Sequence, residues 1–211
     1  MSFRDGLVVR VRVRWRHRRP DRRAVAAASG GSGGSKGGAG ASGGAPFDAS
    51  SVKPTDPRSL FRTANLARAL AAARAHLGTD ARLDLLALYP GYLDFTAVRV
   101  DGEVDVYIDA NGSYMASDTG GNPGASPLFS LPRVKADVPA ALAQRIAASG
   151  HVPETQLNYM LAEVDPADNR FRWLVYPRHG NRVEYFQAAG ATGPLLEYRS
   201  NSSTGLQKVR G

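Results

Sequence analysis

Residues 103–114, EVDVYIDANGSY, constrain the fold more than any other stretch. Val104, Val106 and Ile108 alternate with Glu103, Asp105, Tyr107 and Asp109. A period of two belongs to a half-buried strand. Asn111-Gly112 follows, a pair that supplies the positive φ angles of a tight hairpin turn. Seventy-eight residues on, Tyr185-Phe186-Gln187-Ala188-Ala189-Gly190 echoes Tyr107-Ile108-Asp109-Ala110-Asn111-Gly112. The echo implies two copies of one folding unit.

Periodicity upstream of each copy agrees. Leu66, Ala69, Leu70, Ala73 and Leu77 form one apolar stripe of a helix over residues 62–77, and Gly78 suits its end. Strands are predicted at 82–89, 92–100, 103–109 and 113–117, with Pro90-Gly91 and Asp101-Gly102 as turns. Asp137 caps a second predicted helix with Pro139 in its first turn, Leu142 and Ile146 on its stripe and Gly150 at its end. Strands at 156–164, 170–176, 182–188 and 194–199 follow. The fold class is therefore α+β: two α-β-β-β(-β) repeats, each an antiparallel meander sheet with a helix on one face. The expected organisation is a basic, disordered tail (1–28), a Gly/Ser linker (29–46), the first repeat with its lead-in (47–120), a connector (121–136), the second repeat (137–200) and a disordered C-terminal tail (201–211).

Charge separates these parts. Residues 1–46 carry nine Arg and one Lys against Asp5 and Asp21, which is the whole net charge of +8. Residues 47–211 carry 17 basic and 17 acidic side chains. A neutral body offers no field to collect nucleic acid. In the tail, Val9, Val11, Val13 and Trp15 alternate with arginines. Three readings are open: a polybasic arm, a disordered tail, or a start other than the native one. As an arm, Arg10, Arg12, Arg14, Arg16, Arg18 and Arg19 would contact the phosphates of nucleic acid or an anionic membrane. No apolar run approaches the roughly 20 residues of a membrane span, and none near the start reaches the roughly seven of a signal-peptide core.

Several chemistries are excluded or disfavoured. The chain has no cysteine, so it has no disulfide, thiolate zinc site or cysteine nucleophile. Its four histidines have no metal-ligand spacing. Residues 30–34 and 38–43 formally match a nucleophile elbow and a dinucleotide-binding loop, but they lie in the linker, with no strand before them and no helix after. The loop at Asp109 begins like an EF-hand, yet Tyr114 stands where Gly is required and Gly120 where Glu is required. No metal, cofactor or catalytic set is expected.

Two groups remain as candidate ligand contacts. Arg178-His179-Gly180-Asn181-Arg182 is a turn dense in donors, so Arg178, His179 and Arg182 can grip a carboxylate or phosphate. Tyr107 and Tyr185 occupy matching positions opposite the apolar face of their strands. The other aromatics (Tyr89, Tyr92, Phe95, Tyr159, Phe171, Trp173, Tyr176, Phe186 and Tyr198) also fall mainly in predicted strands. Sheet aromatics serve either as a binding face or as cross-strand pairs.

Residues 106–112, with the copy at 184–190, resemble the end of a PepSY-type domain, where a strand runs through an Asp-Ala pair into a Gly-containing turn. Gln187 replaces the Asp in the second copy. The tandem outline is also similar to the β-lactamase-inhibitor protein. These resemblances imply non-enzymatic, mostly extracytoplasmic or membrane-associated modules that bind or inhibit proteins, and no functional residue transfers with them. The leading expectation is a non-catalytic module for a protein or peptide ligand, inhibitory or sensory, on a flexible linker. The alternative is a basic-arm protein acting through residues 4–23. A hydrolase site from Asp84, Asp94 and His179 is a third reading.

Overall fold

The computed structural model describes residues 47–99, 102–119, 127–201 and 205–210. All of them belong to one compact unit, Ala45–Gly211. Its elements are α1 (Thr63–Leu77), β1 (Arg82–Leu88), β2 (Tyr92–Arg99), β3 (Gly102–Asp109), β4 (Tyr114–Asp118), β5 (Phe129–Ser130), α2 (Asp137–Ala148), β6 (Leu157–Val164), β7 (Phe171–Pro177), β8 (Val183–Ala188), β9 (Leu195–Asn201) and β10 (Gly205–Arg210).

The strands form one antiparallel sheet in the order β10-β9-β8-β7-β6-β1-β2-β3-β4. Strand β5 pairs with the start of β1, Leu83 opposite Phe129. β1 and β6 join the two meanders, pairing Leu85 with Glu163 and Leu88 with Met160. The mixed α+β class follows from these elements. Both helices bury their stripes in the same core: Leu66, Leu70 and Ala73 of α1, and Leu142, Ala143 and Ile146 of α2. Leu93, Phe95, Val106, Ile108, Met160, Trp173 and Phe186 meet them from the sheet. Helices on one side leave the other side of the sheet as a separate face, where Ala87, Leu161 and Leu174 form a smaller cluster.

The lead-in is built into this body. Val52, Leu60 and Phe61 are buried. Leu60 N donates to Pro90 O at 2.7 Å, and buried Asn65 donates its amide to Pro57 O and Ser59 O at 2.7 and 2.9 Å. Arg62 pairs with Glu154 at 3.1 Å, tying the start of α1 to the turn before β6.

Four local expectations are corrected. Ala136, not Asp137, is the cap of α2 and makes no side-chain cap bond; Asp137 is the first helical residue, where the helix dipole favours a carboxylate. The turn after β3 takes positive φ at Gly112 and not at Asn111, contrary to the expectation of positive φ angles at both. Gly112 N donates to Asp109 O at 2.9 Å, Asp109 N donates to Ser113 O at 3.1 Å, and only Gly112 is left-handed, at φ +90°. That is a type I turn with a glycine bulge. The stretch expected to be a connector gives Phe129, Leu131 and Val134 to the core. Finally, β10 occupies the expected C-terminal tail. It pairs with β9 from Gly205 opposite Asn201 to Arg210 opposite Leu196. Lys208 falls on this edge strand, where charge discourages further pairing.

Candidate functional site

The face opposite the helices carries a row of seven tyrosines across seven neighbouring strands. In spatial order they are Tyr107 on β3, Tyr92 on β2, Tyr89 just after β1, Tyr159 on β6, Tyr176 on β7, Tyr185 on β8 and Tyr198 on β9. At the usual strand spacing, six steps span roughly 29 Å. Stacked pairs alternate with looser contacts. Tyr89–Tyr92, Tyr159–Tyr176 and Tyr185–Tyr198 have ring centroids 4.4, 4.6 and 4.5 Å apart and planes within 16°. Tyr92–Tyr107 lies at 5.1 Å, and the tilted contacts Tyr89–Tyr159 and Tyr176–Tyr185 lie at 5.4 and 5.6 Å.

Strand phase explains most of the row. Aromatics without a hydroxyl, Phe95, Trp173 and Phe186, take the core positions, while the seven tyrosines of the row take the opposite ones and Tyr114 on β4 packs on the core side against His76. Two β-bulges complete it. Leu157 and Val183 point into the core, so simple alternation would send Tyr159 and Tyr185 there too. A register shift between Leu157 and Tyr159, and another between Val183 and Tyr185, turns both rings onto the tyrosine face.

Neighbouring rings cover one another's faces, so the row presents ring edges and phenol hydroxyls. Burial pushes the hydroxyls of Tyr107 and Tyr159 up to about 12. Asp109 and Asp94 add to the rise at Tyr107, as Tyr89 does at Tyr159. Tyr89, Tyr92, Tyr176 and Tyr185 are raised as well, first by burial and then by nearby carboxylates and phenols. These hydroxyls are therefore neutral donors at physiological pH. A consequence is testable. Unfolded tyrosine ionises near pH 10 while the folded row keeps its protons, so the unfolded state binds fewer protons above that pH. The row's contribution to stability should be intact below about pH 10 and lost as pH rises towards 12. Chemical denaturation midpoints measured from pH 8 to 12 should fall, with phenolate absorbance rising together with loss of sheet circular dichroism.

Beside the row runs an apolar strip of Leu85, Ala87, Leu161 and Leu174. Charged groups flank it. Arg172 donates to Glu163 at 2.6 and 2.8 Å and also pairs with Asp165. Loss of surrounding solvent pushes the carboxyls of Asp84 and Asp94 above the usual range, and the charge of Asp105 acts in the same direction. Thr96 Oγ1 donates to Asp105 at 2.8 Å.

Of the residues singled out from sequence, Tyr107 and Tyr185 both lie in the row, with four tyrosines between them. Arg178, His179 and Arg182 lie in the exposed β7–β8 turn, held by Arg178 N donating to Gln156 O and Asn181 Nδ2 donating to Arg178 O, both at 2.8 Å. Arg178 and His179 border a shallow cavity of about 140 Å³ with Tyr159 and Tyr176. Arg182 faces a different one. His179 is not brought to Asp94, which lies three strand spacings from β7, about 14 Å. Asp109 serves its turn, its Oδ1 accepting from Asn111 N and Ser113 N, each at 2.9 Å. Arg10, Arg12, Arg14, Arg16, Arg18 and Arg19 lie outside the described residues.

The continuity of the tyrosine row was missed. Its sequence signal is weak: tyrosine, rather than phenylalanine, at core-opposite positions of consecutive strands. The cluster of His151, Glu197 and Arg199 has no signal, since 46 residues separate the histidine from the glutamate. No protein-family model, curated protein or solved structure matches this chain.

Proposed function

We propose that this protein is a non-catalytic binding module that takes a protein or peptide ligand on its tyrosine face. The carrying observation is the unbroken row of seven tyrosines on the face opposite the helices. Tyrosine supplies rigid contact area with few rotamers to immobilise and a hydroxyl for hydrogen bonding, which is why it recurs in protein interfaces. An aliphatic strip with charged groups beside it matches the core-and-rim anatomy of such interfaces. The stacking supports this reading over a sugar or a nucleobase. Those ligands need an open ring face, and here the faces are largely taken by neighbouring rings.

The same proposal covers the finer architecture, two α-β-β-β(-β) units like tandem PepSY-type domains. It is supported by each helix preceding one meander and by the first strands of the two meanders pairing with each other. In this arrangement the row crosses the junction between the units, at Tyr89–Tyr159.

The test compares the full-length chain with a Tyr92→Ser/Tyr159→Ser variant as bait. A bound partner identified with the wild type should bind the variant at least about tenfold more weakly, since buried interface aromatics are the usual hot spots. Circular dichroism should show the fold retained. A partner held equally by both proteins would refute the tyrosine face as the binding surface.

A further inference from the structure

His151, Arg182 and Arg199 surround a second cavity, of about 340 Å³, lined also by Gly180, Asn181 and Val183. It sits on the far side of the β7–β8 turn from the tyrosine row, beside the end of α2. We propose that this cavity binds a small oxyanion, a carboxylate or a phosphate, together with part of the organic group that carries it.

The argument begins beneath the cavity. Glu197 is only 4% exposed, and a carboxylate is costly to bury unless both oxygens are engaged. Both are. Glu197 Oε2 accepts from His151 Nδ1 at 2.5 Å, and Oε1 accepts from Arg199 Nε. The glutamate thus holds two cavity-lining side chains from below. A carboxylate only accepts, so the imidazole proton sits on Nδ1; Nε2 donates to an oxyanion when the ring is the imidazolium, and with the neutral ring the anion is held by Arg182 and Arg199. With Nε engaged, the two terminal nitrogens of Arg199 remain, and their planar fork matches an oxyanion.

Charge points the same way. Arg182 and Arg199 outweigh Glu197, leaving a surplus of one positive charge with neutral His151 and two with the imidazolium. The lining contains no carboxylate to repel an anion. It contains no hydroxyl or thiol nucleophile either, so the groups present support binding and not covalent transfer. The cavity is partly open to solvent, which leaves room beyond the anionic group itself.

The experiment titrates the full-length protein with inorganic phosphate and, separately, with acetate. Chloride keeps the ionic strength constant, and amide and arginine Nε resonances report binding. Saturable shifts confined to residues 151, 180–183 and 199 are expected with at least one anion, and the stronger of the two names its class. Arg182 is exposed, so Arg182→Ala leaves the core intact. It should weaken that binding about tenfold or more, the effect of losing one charge-assisted hydrogen bond. Glu197→Gln, which keeps the shape but loosens both anchors, should also weaken it; if that variant unfolds, Arg182→Ala decides alone. Shifts that never saturate, or that are unchanged by Arg182→Ala, overturn the proposal.

Discussion

Trp173→Ala is expected to remove about 4 kcal/mol of folding stability, the largest effect of any single truncation in this core. Trp173 is 0% exposed and heads the fully buried side chains by volume. Its cross-strand neighbours are Ala162 on β6 and Ala188 on β8, small residues that make room for the indole. Neither can expand into the space that truncation leaves, so the cavity should persist and its lining should lose dispersion contacts. Phe171 also loses its edge-to-face partner, 6.3 Å away with planes at 88°. For a body of this size, such a loss lowers the melting temperature by roughly 10 °C. Thermal unfolding followed by far-ultraviolet circular dichroism measures it, because the substitution deletes the tryptophan that reports on the core and leaves Trp15 of the tail. A loss below about 1.5 kcal/mol would mean that the sheet closes over the gap.

Gly91→Ala should cost about 3 kcal/mol for a different reason, overpacking against backbone. A Cβ at Gly91 would stand 1.8 Å from Ala49 O and 2.7 Å from Ala49 C. No side chain can move aside there, so the lead-in itself must lift. Lifting it endangers two bonds at the same corner: Leu60 N to Pro90 O at 2.7 Å and Ala110 N to Gly91 O at 2.8 Å. Gly190→Ala is the matched control. Nothing lies within 4 Å of a Cβ there, and its backbone is not left-handed. That substitution should be neutral or stabilising by up to about 1 kcal/mol, through the unfolded chain. Urea denaturation of the pair separates the two effects. Chymotrypsin should also cut faster at Phe47 in Gly91→Ala, because the segment beside it is displaced. Equal stability for the two variants would remove the lead-in from the fold.

Much of the architecture was legible because it is written locally. Alternation in residues 103–109 set the phase of β3, and the stripe from Leu66 to Leu77 set the face of α1. The misses also have physical causes. Asn111-Gly112 suits more than one hairpin, and closure from Asp109 N to Ser113 O selected the bulged type I turn. Residues 205–210 carry a short, weak strand pattern whose stability comes from the open edge of β9, an edge that exists only in the assembled sheet. Phe129, Leu131 and Val134 looked like apolar residues in a connector until the first turns of β1 offered a strand to pair with.

The tyrosine face divides along the same line. Local sequence sufficed for aromatic-rich strands with Tyr107 and Tyr185 opposite the apolar faces of theirs, since a period of two sends alternate residues to opposite faces. The assembled sheet settled that seven tyrosine rings would form one row. The row depends on β1 pairing with β6 and on bulges that turn Tyr159 and Tyr185 away from the core. It likewise decided that His151 and Arg199 would share buried Glu197. Cross-strand neighbours are chosen by which pairing buries the whole core best, and that free energy belongs to the assembled sheet, not to any stretch of the chain.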